Sequence, residues 1–410
     1  MSIKEILRAI FANLGITNKP EIKFFIELFE LLFSIQGRIN FENLSRFSSL
    51  DESTFRRRFS QFFDWLGFNK SLIDAAQVGS QGQVIAVIDC SFISKSGKHT
   101  FGLDKFWSGC LGKAQKGLEI SVLGVIDVLT ATAWTLDVTQ TPAQLSSKES
   151  SKESSKESSK EAGNYTRVNF YIEQILDCLP HLTHVLYFVA DGFYAKKKMF
   201  EALLQMNKHL ITKLRPDANL MFKFEGIHEK KQGPQKIYES KAVYDDLSKW
   251  HLIGKDAKYD YLTIYHRICY SPQFEIWLSV VLVYNTKTNQ YILLASTDLK
   301  QKPTEILTFY QLRFQIEFLF RDAKQFTGLT HCQAREEAKL DFHFNMSLAA
   351  INVIQLLKKN DPTITSMNTL TRKAYNTRII QFFLCQLSLN AELDVFNPLV
   401  QKVINFGTLF

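Results

Sequence analysis

The chain has 410 residues, of which 46% are hydrophobic, and its formal net charge is +8. This length and apolar content exclude wholesale disorder and allow two to four structural units. The positive charge favours a polyanionic partner such as nucleic acid. No uninterrupted apolar run reaches the length of a membrane span, so no membrane partner is expected. The six cysteines are scattered without a CxxC pair, which predicts reduced thiols and a cytoplasmic location.

Residues 1–78 are predicted to form a helical DNA-binding domain that resembles a helix-turn-helix. Its second half contains a helix, a short polar break and another helix that starts near Ser53, with Asp51 or Ser53 as the cap. A helix-turn-helix places its second helix in the major groove, where arginines meet phosphates or guanine edges. The alternative is a plain helical hairpin with a solvated basic face. The arginines concerned are Arg56, Arg57 and Arg58.

After residue 83 the pattern changes to short apolar runs rich in β-branched residues. Three such runs, at 84–93, 120–128 and 132–140, predict an antiparallel meander. A Ser-Lys-Glu repeat then occupies 146–161. Its charges cancel locally and serine is a poor helix former, so a solvated linker is predicted, with a marginal single helix as the alternative.

The remaining pattern predicts an α/β fold, a mixed sheet flanked by helices. Strands and helices alternate to complete the first part of the core over 83–215. Residues 216–300 contain further strand-like segments and read as a mostly β insertion. Helical periodicity returns over 301–345, which completes the core, and continues through a C-terminal helical region at 346–410.

Two aspartates end apolar runs, Asp89 in VIAVID and Asp191 in VLYFVAD. A carboxylate just past a buried parallel strand lies at the sheet edge where open α/β sheets bind ligands. Asp191 also precedes Gly192, which suits a sharp turn. If the two strands are neighbours, the carboxylates could share a cation, and oxygen-only ligands favour Mg²⁺ or Mn²⁺ over zinc. Asp127 is a rival, and a turn or cap role is the alternative for each aspartate.

Basic residues close in sequence favour Asp89 and Asp191 over Asp127. Asp191 is followed by the lysine run 196–198, and Asp89 is followed by Lys95 and Lys98. Paired acids beside basic clusters are what a metal-dependent enzyme acting on phosphodiesters needs.

The segment YQLRFQIEFLFRDAK, residues 310–324, is apolar with polar residues at uneven intervals. As a continuous helix it places a stripe of apolar side chains towards the core and four polar side chains on a separate face. The alternative is an ordinary solvated face with a weak Arg–Glu pair. The four polar residues are Tyr310, Arg313, Glu317 and Lys324.

These residues resemble the DDE transposases of bacterial insertion sequences, in the large group named after insertion sequence four. That group carries a Y-x2-R-x3-E-x6-K signature around its third catalytic acid, and all four positions match here. Its first two acids lie at strand ends of an RNase H-like fold, and Asp89 and Asp191 are similar to them. The resemblance spans about 85–345, and some members carry a β-rich insertion where 216–300 lies.

The resemblance implies a transposase that cuts the ends of a mobile element and joins them to target DNA. Asp89, Asp191 and Glu317 would be the catalytic residues and would bind two Mg²⁺ or Mn²⁺ ions. Tyr310, Arg313 and Lys324 would grip phosphates near the scissile bond. The implied partners are double-stranded DNA, as inverted-repeat ends and as target, and a second copy in a synaptic homodimer, for which the C-terminal helices are the expected interface. The implied location is the cytoplasm, in association with the nucleoid.

Two other classes of function stay open. An RNase H-like nuclease or junction resolvase would share the metal-binding acids but needs no strand transfer. A domesticated protein would bind DNA without catalysis, against which the intact acids argue. Some relatives stack a flipped base on an aromatic ring of the insertion, for which Trp250 and Trp277 are candidates, with a core position as the alternative for each.

Overall fold

The computed structural model describes residues 2–109, 111–143, 145, 165–226, 235–256, 258–361, 364, 366–386 and 394–405. The Ser-Lys-Glu repeat and its predicted linker lie outside the described residues. None of the helices within these ranges is both long enough and apolar enough to cross a membrane.

The N-terminal region is helical throughout, as predicted. Ser2 and Asn18 cap the first two helices, and the Asp51 carboxylate accepts a hydrogen bond from the Thr54 N–H at 2.7 Å, so Asp51 rather than Ser53 is the N-cap of the fourth. The helices are α1 (Ile3–Asn13), α2 (Lys19–Ser34), α3 (Phe41–Arg46), α4 (Glu52–Arg58) and α5 (Trp65–Ala75).

The rest of the described chain contains one large mixed sheet and further helices. The helices are α6 (Arg167–Cys178), α7 (Lys197–Gln205), α8 (Pro303–Leu312), α9 (Phe314–Phe326), α10 (Glu337–Asn360), α11 (Met367–Gln386) and α12 (Pro398–Ile404). The strands are β1 (Val84–Ser94), β2 (Asp104–Ser108), β3 (Lys113–Asp127), β4 (Thr132–Gln140), β5 (Tyr187–Ala190), β6 (His209–Leu214), β7 (Met221–Lys223), β8 (Tyr238–Lys241), β9 (His251–Lys255), β10 (Leu262–Ser271), β11 (Ile276–Asn285) and β12 (Gln290–Ser296).

The centre of the sheet combines antiparallel and parallel pairs. Strand β3 runs antiparallel to β1 on one side, and on its other side it pairs with β2 and then β4. Strand β5 runs parallel to β1, and β6 runs parallel to β5. Strand β12 pairs antiparallel with β6, and β11, β10, β7 and β8 continue the sheet, so the predicted β insertion extends the core sheet. The predicted mixed α/β class is confirmed.

The N-terminal helices share one hydrophobic core with the sheet and α10. The aromatic ring of Phe342 on α10 lies 4.3 Å from that of Phe59, 5.1 Å from that of Trp65 and 6.0 Å from that of Phe25. All four side chains are buried. Packing of these aromatic rings therefore joins the helical region to the rest of the molecule.

Three local expectations need correction. Asp89 does not lie just past the end of its strand, because β1 continues for five residues to Ser94 in its antiparallel pairing with β3. Residues 303–326 are not one helix, because α8 ends at Leu312 and α9 starts at Phe314, with Arg313 between them. The predicted meander also lacked β2, whose five residues include two charges and an exposed tryptophan.

Candidate active site

Asp89 on β1 and Asp191, directly after β5, lie side by side on two neighbouring parallel strands of the sheet. The last pair in the β1–β5 register joins Val87 to Val189, so two residues further on Asp89 is level with Asp191. Strand β5 ends at Ala190, and Asp191 then caps a short 3₁₀ turn. The structure thus brings these two predicted acids together at the carboxyl end of β5.

The backbone around Asp191 is fixed by its neighbours. The Thr212 hydroxyl on β6 donates to the Asp191 carbonyl oxygen at 2.7 Å, and the Phe193 N–H donates to Asp191 Oδ1 at 2.9 Å. A Cβ on Gly192 would lie 3.1 Å from the Lys213 carbonyl oxygen. Gly192 therefore suits this turn because β6 approaches it closely.

Arg313 joins Asp89 to Glu317. Its Nη1 donates to Asp89 Oδ2 at 3.1 Å, and its Nη2 donates to Glu317 Oε1 at 2.8 Å. The other oxygen of Asp89 accepts from the Cys90 N–H at 2.8 Å. The Arg313 side chain is 8% exposed, that of Asp89 17% and that of Glu317 45%. Arg313 lies between α8 and α9, and its side chain reaches the sheet edge at Asp89.

The electrostatics of the two aspartates favour a cation. Burial raises the pKa of Asp89 to about 7, with a further increase from the Asp191 charge, while the Arg313 charge opposes both. Burial likewise raises the pKa of Asp191. Two half-buried carboxylates that destabilise each other's charge are what a divalent ion relieves.

The donor set fits a hard divalent cation only in part. Within the described ranges, no three His, Cys, Asp or Glu side chains are grouped closely enough to hold a metal ion. Asp89 and Asp191 offer carboxylate oxygens of the kind that Mg²⁺ and Mn²⁺ prefer. Glu317, the third predicted ligand, is instead paired with Arg313. Glu317 would have to release this pair in order to join the two aspartates.

The other two signature residues flank this arrangement. Tyr310 on α8 is buried, its ring centre lies 5.8 Å from the Arg313 guanidinium carbon, and burial raises the pKa of its hydroxyl. Lys324 is partly buried on α9, about two turns beyond Glu317. Tyr310 is thus packed at the carboxylates rather than presented to solvent.

A buried polar network lies behind Asp89 and was missed by the sequence analysis. Arg167 and Glu119 form an ion pair, and the Tyr171 hydroxyl donates to Glu119 Oε1 at 3.0 Å. The sulfur of Cys90 lies 3.3 Å from the Tyr194 hydroxyl oxygen. The sequence contained one indication of this network, Glu119 in the strand-like run LEISVLG. A charged residue inside a buried strand requires a partner.

The two lysines predicted beside Asp89 have different surroundings. The Lys95 ammonium donates to the carbonyl oxygens of Cys332 at 2.5 Å and Ala334 at 3.0 Å, so this side chain joins the loop before α10 to β1. Lys98 is exposed. Neither lysine contacts the carboxylates among the hydrogen bonds and ion pairs of the described residues.

The three arginines of α4 also differ in the partners of their side chains. Arg56 pairs with Glu52, and Arg58 donates to Gln61 Oε1 at 3.1 Å while its guanidinium carbon lies 5.5 Å from the centre of the Phe24 ring. Arg57 is exposed, and its guanidinium has no hydrogen bond or ion pair with any residue that the structure describes.

Asp127, Trp250 and Trp277, the other candidate residues, each pack or hydrogen bond within the protein. Asp127 caps the β3–β4 turn, where its Oδ1 accepts from the N–H groups of Leu129 and Thr130, at the opposite end of β3 from the hairpin with β2. Trp250 is buried and donates to the Val243 carbonyl oxygen at 2.8 Å. Trp277 is partly buried and its ring stacks at 5.8 Å on that of Tyr238.

Comparison with known families gives two matches. A family model described as DDE superfamily endonuclease matches residues 19–258, and one described as transposase DDE domain matches residues 164–353. The first range contains Asp89 and Asp191, and the second contains Asp191 and Glu317. No curated protein matches the chain.

Proposed function

Because the chain belongs to the DDE superfamily of endonucleases, we propose that it is a DNA transposase of the insertion-sequence-four group. It binds the inverted-repeat ends of an insertion sequence, cuts them and joins them to target DNA. The observation that carries this proposal is the parallel β1–β5 register, which sets Asp89 level with Asp191, together with the Arg313 link from Asp89 to Glu317.

Asp89, Asp191 and Glu317 are proposed as the catalytic residues and as the ligands of two Mg²⁺ or Mn²⁺ ions. DDE domains use divalent ions, which when bound activate the attacking oxygen and stabilise the leaving oxygen of an in-line displacement. The chain's own contribution is to hold the two aspartates in register on a rigid sheet and to carry Glu317 on the adjoining helix α9. When Glu317 turns towards the aspartates, Arg313 is released towards a DNA phosphate, which it can bind bidentately.

The remaining signature residues and the α4 arginines are proposed as DNA contacts. Lys324 supplies a point charge for a phosphate on the same helix as Glu317. Tyr310 keeps the Arg313 guanidinium against the carboxylates until DNA arrives. Arg57 and Lys98, which are exposed, are proposed to bind phosphates of the duplex directly. Arg56, Arg58 and Lys95 would first have to leave their present partners. Two DNA ends have to be joined, so the active form is proposed to be a homodimer in the cytoplasm.

Cleavage of an end-bearing DNA tests this function. The substrate carries the inverted repeats that bracket the gene, and the full chain is incubated with it and Mg²⁺. We expect cuts at the repeat ends that Asp89→Asn, Asp191→Asn and Glu317→Gln each reduce at least a thousandfold while DNA binding is retained. Asp127→Asn is the matched control and should cut normally.

The outcomes separate the candidate functions. Cuts without joining to a second DNA would indicate a nuclease or resolvase. Binding without cuts in the unaltered chain would indicate a domesticated DNA-binding protein. Normal cutting by all three acid variants would refute the site assignment.

A further inference from the structure

The hairpin formed by β2 and β3 exposes an aromatic and cationic surface. Trp107 is 60% exposed and Leu111 is 56% exposed. Across the hairpin, Lys105 faces Lys116 and Trp107 faces Ala114. Both lysines are exposed. The strand register therefore puts Trp107, Lys105 and Lys116 on one face of the hairpin, where the Lys116 ammonium donates to the Gly97 carbonyl oxygen at 2.8 Å.

This hairpin face lies on the same side of the sheet as Asp89. Asp89 is opposite Val122 on β3, and alternate residues of a strand share one face, so Val122, Lys116 and Ala114 share the face of Asp89. Trp107, as the partner of Ala114, lies on it too. The interval from 114 to 122 spans roughly 27 Å at about 3.4 Å per residue.

The hairpin also projects from the same edge of the sheet as the candidate active site. Strand β1 runs from Asp89 towards Ser94, which pairs with Gly117, and the hairpin extends beyond that pair. Its other face is anchored, because Phe106 is buried and its ring centre lies 5.8 Å from the Arg167 guanidinium carbon. The exposed face is thus held firmly, at a distance that corresponds to about eight base pairs of DNA.

We propose that Trp107, Lys105 and Lys116 form a sequence-independent DNA contact that binds the duplex about eight base pairs from the reacting phosphate. The lysines neutralise phosphates, and the indole stacks on a base that is exposed where the duplex is distorted. The identification of the ligand as DNA rests on the proposed function. Neither interaction reads base identity, so the surface binds DNA flanking the element or the target DNA rather than the terminal repeats.

Binding of the full chain to two labelled DNAs, in EDTA, tests this surface. One is a 40-base-pair duplex of mixed sequence, and the other is the same duplex with a central unpaired bubble. We expect Trp107→Ala to weaken binding of the bubble DNA roughly ten- to hundredfold, and binding of the intact duplex less. Trp107→Phe should retain most of the affinity. Leu129→Ala is the matched control, since Leu129 is 65% exposed at the opposite end of β3.

A salt series tests the lysines. Replacement of both Lys105 and Lys116 by Gln should lower the dependence of log affinity on log salt by about 2, with thermal unfolding unchanged. Lys358→Gln, on an exposed lysine of α10, should leave the salt dependence unchanged.

Several results would overturn the proposal. One is a Trp107→Ala variant that binds bubble DNA as tightly as the unaltered chain or the Leu129→Ala control. Another is a Trp107→Ala variant whose mass in analytical ultracentrifugation changes while its DNA affinity does not. That result would indicate that this face binds a second copy of the chain. Binding is measured in EDTA, where the chain cannot cut DNA, so this test is independent of catalysis. If the proposed function is wrong but this proposal is right, the chain binds DNA through the hairpin in EDTA and cuts no DNA with Mg²⁺.

Discussion

The Arg313 guanidinium donates a hydrogen bond to the Asp89 carboxylate at 3.1 Å across 224 residues of chain. With its second donor it holds Glu317 at 2.8 Å, so one cation connects two of the three proposed catalytic acids. The guanidinium carbon also lies 5.8 Å from the centre of the Tyr310 ring and 4.8 Å from that of Phe314. In this conformation, Arg313 supplies the positive charge that the carboxylates require.

Replacement of Arg313 by Met should shift the pH dependence of cleavage. The Arg313 charge lowers the pKa of Asp89, so its loss raises that pKa further above 7 and leaves less ionised Asp89 at neutral pH. We expect at least tenfold lower cleavage at pH 7, with partial recovery at pH 9. The measurement is a rate–pH profile. Arg321→Met, on an exposed arginine of α9, is the control, and an identical profile for the two variants would contradict this role.

Asp89 should also make ion binding and stability depend on pH. Its folded pKa of about 7 lies above its ordinary value of 3.8, so its contribution to stability is present below pH 4 and is lost as the pH rises to 7. At pH 8 the metal-free chain should therefore be stabilised by Asp89→Asn. Mg²⁺ should raise the unfolding temperature of the unaltered chain more at pH 8 than at pH 6, because the ligand has to be ionised.

Thermal unfolding at pH 6 and pH 8, with and without Mg²⁺, measures both effects. Asp127→Asn should preserve the Mg²⁺ effect, since Asp127 is a turn cap far from the site. An equal Mg²⁺ effect in Asp89→Asn and the unaltered chain would remove Asp89 from the ligand set.

The buried pair of Glu119 and Arg167 should behave as a unit. Their side chains are 5% and 11% exposed, so Glu119→Gln leaves a buried guanidinium without its counter-charge. We expect a loss of about 3–5 kcal/mol in the free energy of unfolding. The double variant with Arg167→Met should lose less than the sum of the two single variants. Urea unfolding of all four proteins forms the cycle, and simple additivity would show that the pair is not coupled.

Sequence periodicity was sufficient for the fold class and for the approximate positions of the central strands. VIAVID and VLYFVAD are apolar runs that end in an acid, and such runs predict buried strands whatever their partners are. The run at 84–93 also predicted that β1 continues past Asp89, but its end at Ser94 depends on the antiparallel pairing with β3. Tertiary pairing decided that boundary.

The polar face of residues 310–324 shows what helical spacing alone could not predict. Helical spacing placed Arg313 and Glu317 together, and the structure has them hydrogen bonded. Spacing within one helix could not indicate that Arg313 also reaches Asp89, nor that the helix breaks at Arg313. The network of Glu119 with Tyr171 was equally out of reach, because it joins segments whose contact depends on the assembled sheet.

Arg57 should account for most of the DNA affinity that the α4 arginines provide. It is exposed and has no ion pair with a described residue, whereas Arg56 is paired with Glu52 and Arg58 lies against Phe24. We expect Arg57→Ala to lower the salt dependence of binding to an end-bearing duplex by about 1 and to weaken binding several-fold. Arg56→Ala should have a smaller effect, because its charge is already compensated. A larger loss in Arg56→Ala than in Arg57→Ala would contradict this order.

Asn352 on α10 should be among the residues whose loss destabilises the core most. Its Oδ1 accepts from the Thr135 N–H at 3.0 Å, and its Nδ2 donates to the Thr135 carbonyl oxygen at 2.7 Å and to Asn69 Oδ1 at 3.0 Å. All three residues are buried, so this amide satisfies backbone groups on the β4 edge opposite β3 and joins the edge to α5. Asn352→Ala leaves those groups without partners.

We expect Asn352→Ala to lower the free energy of unfolding by about 2–4 kcal/mol, because buried polar groups are costly when unsatisfied. Asn352→Asp should be comparably harmful, since a carboxylate cannot donate to the Thr135 carbonyl and would be charged in the core. Lys358→Ala, two turns further along the same helix on its exposed side, should change the free energy by less than about 0.5 kcal/mol. Denaturant unfolding measures all three, and a loss in Asn352→Ala no greater than in Lys358→Ala would show that the β4 edge does not depend on this amide.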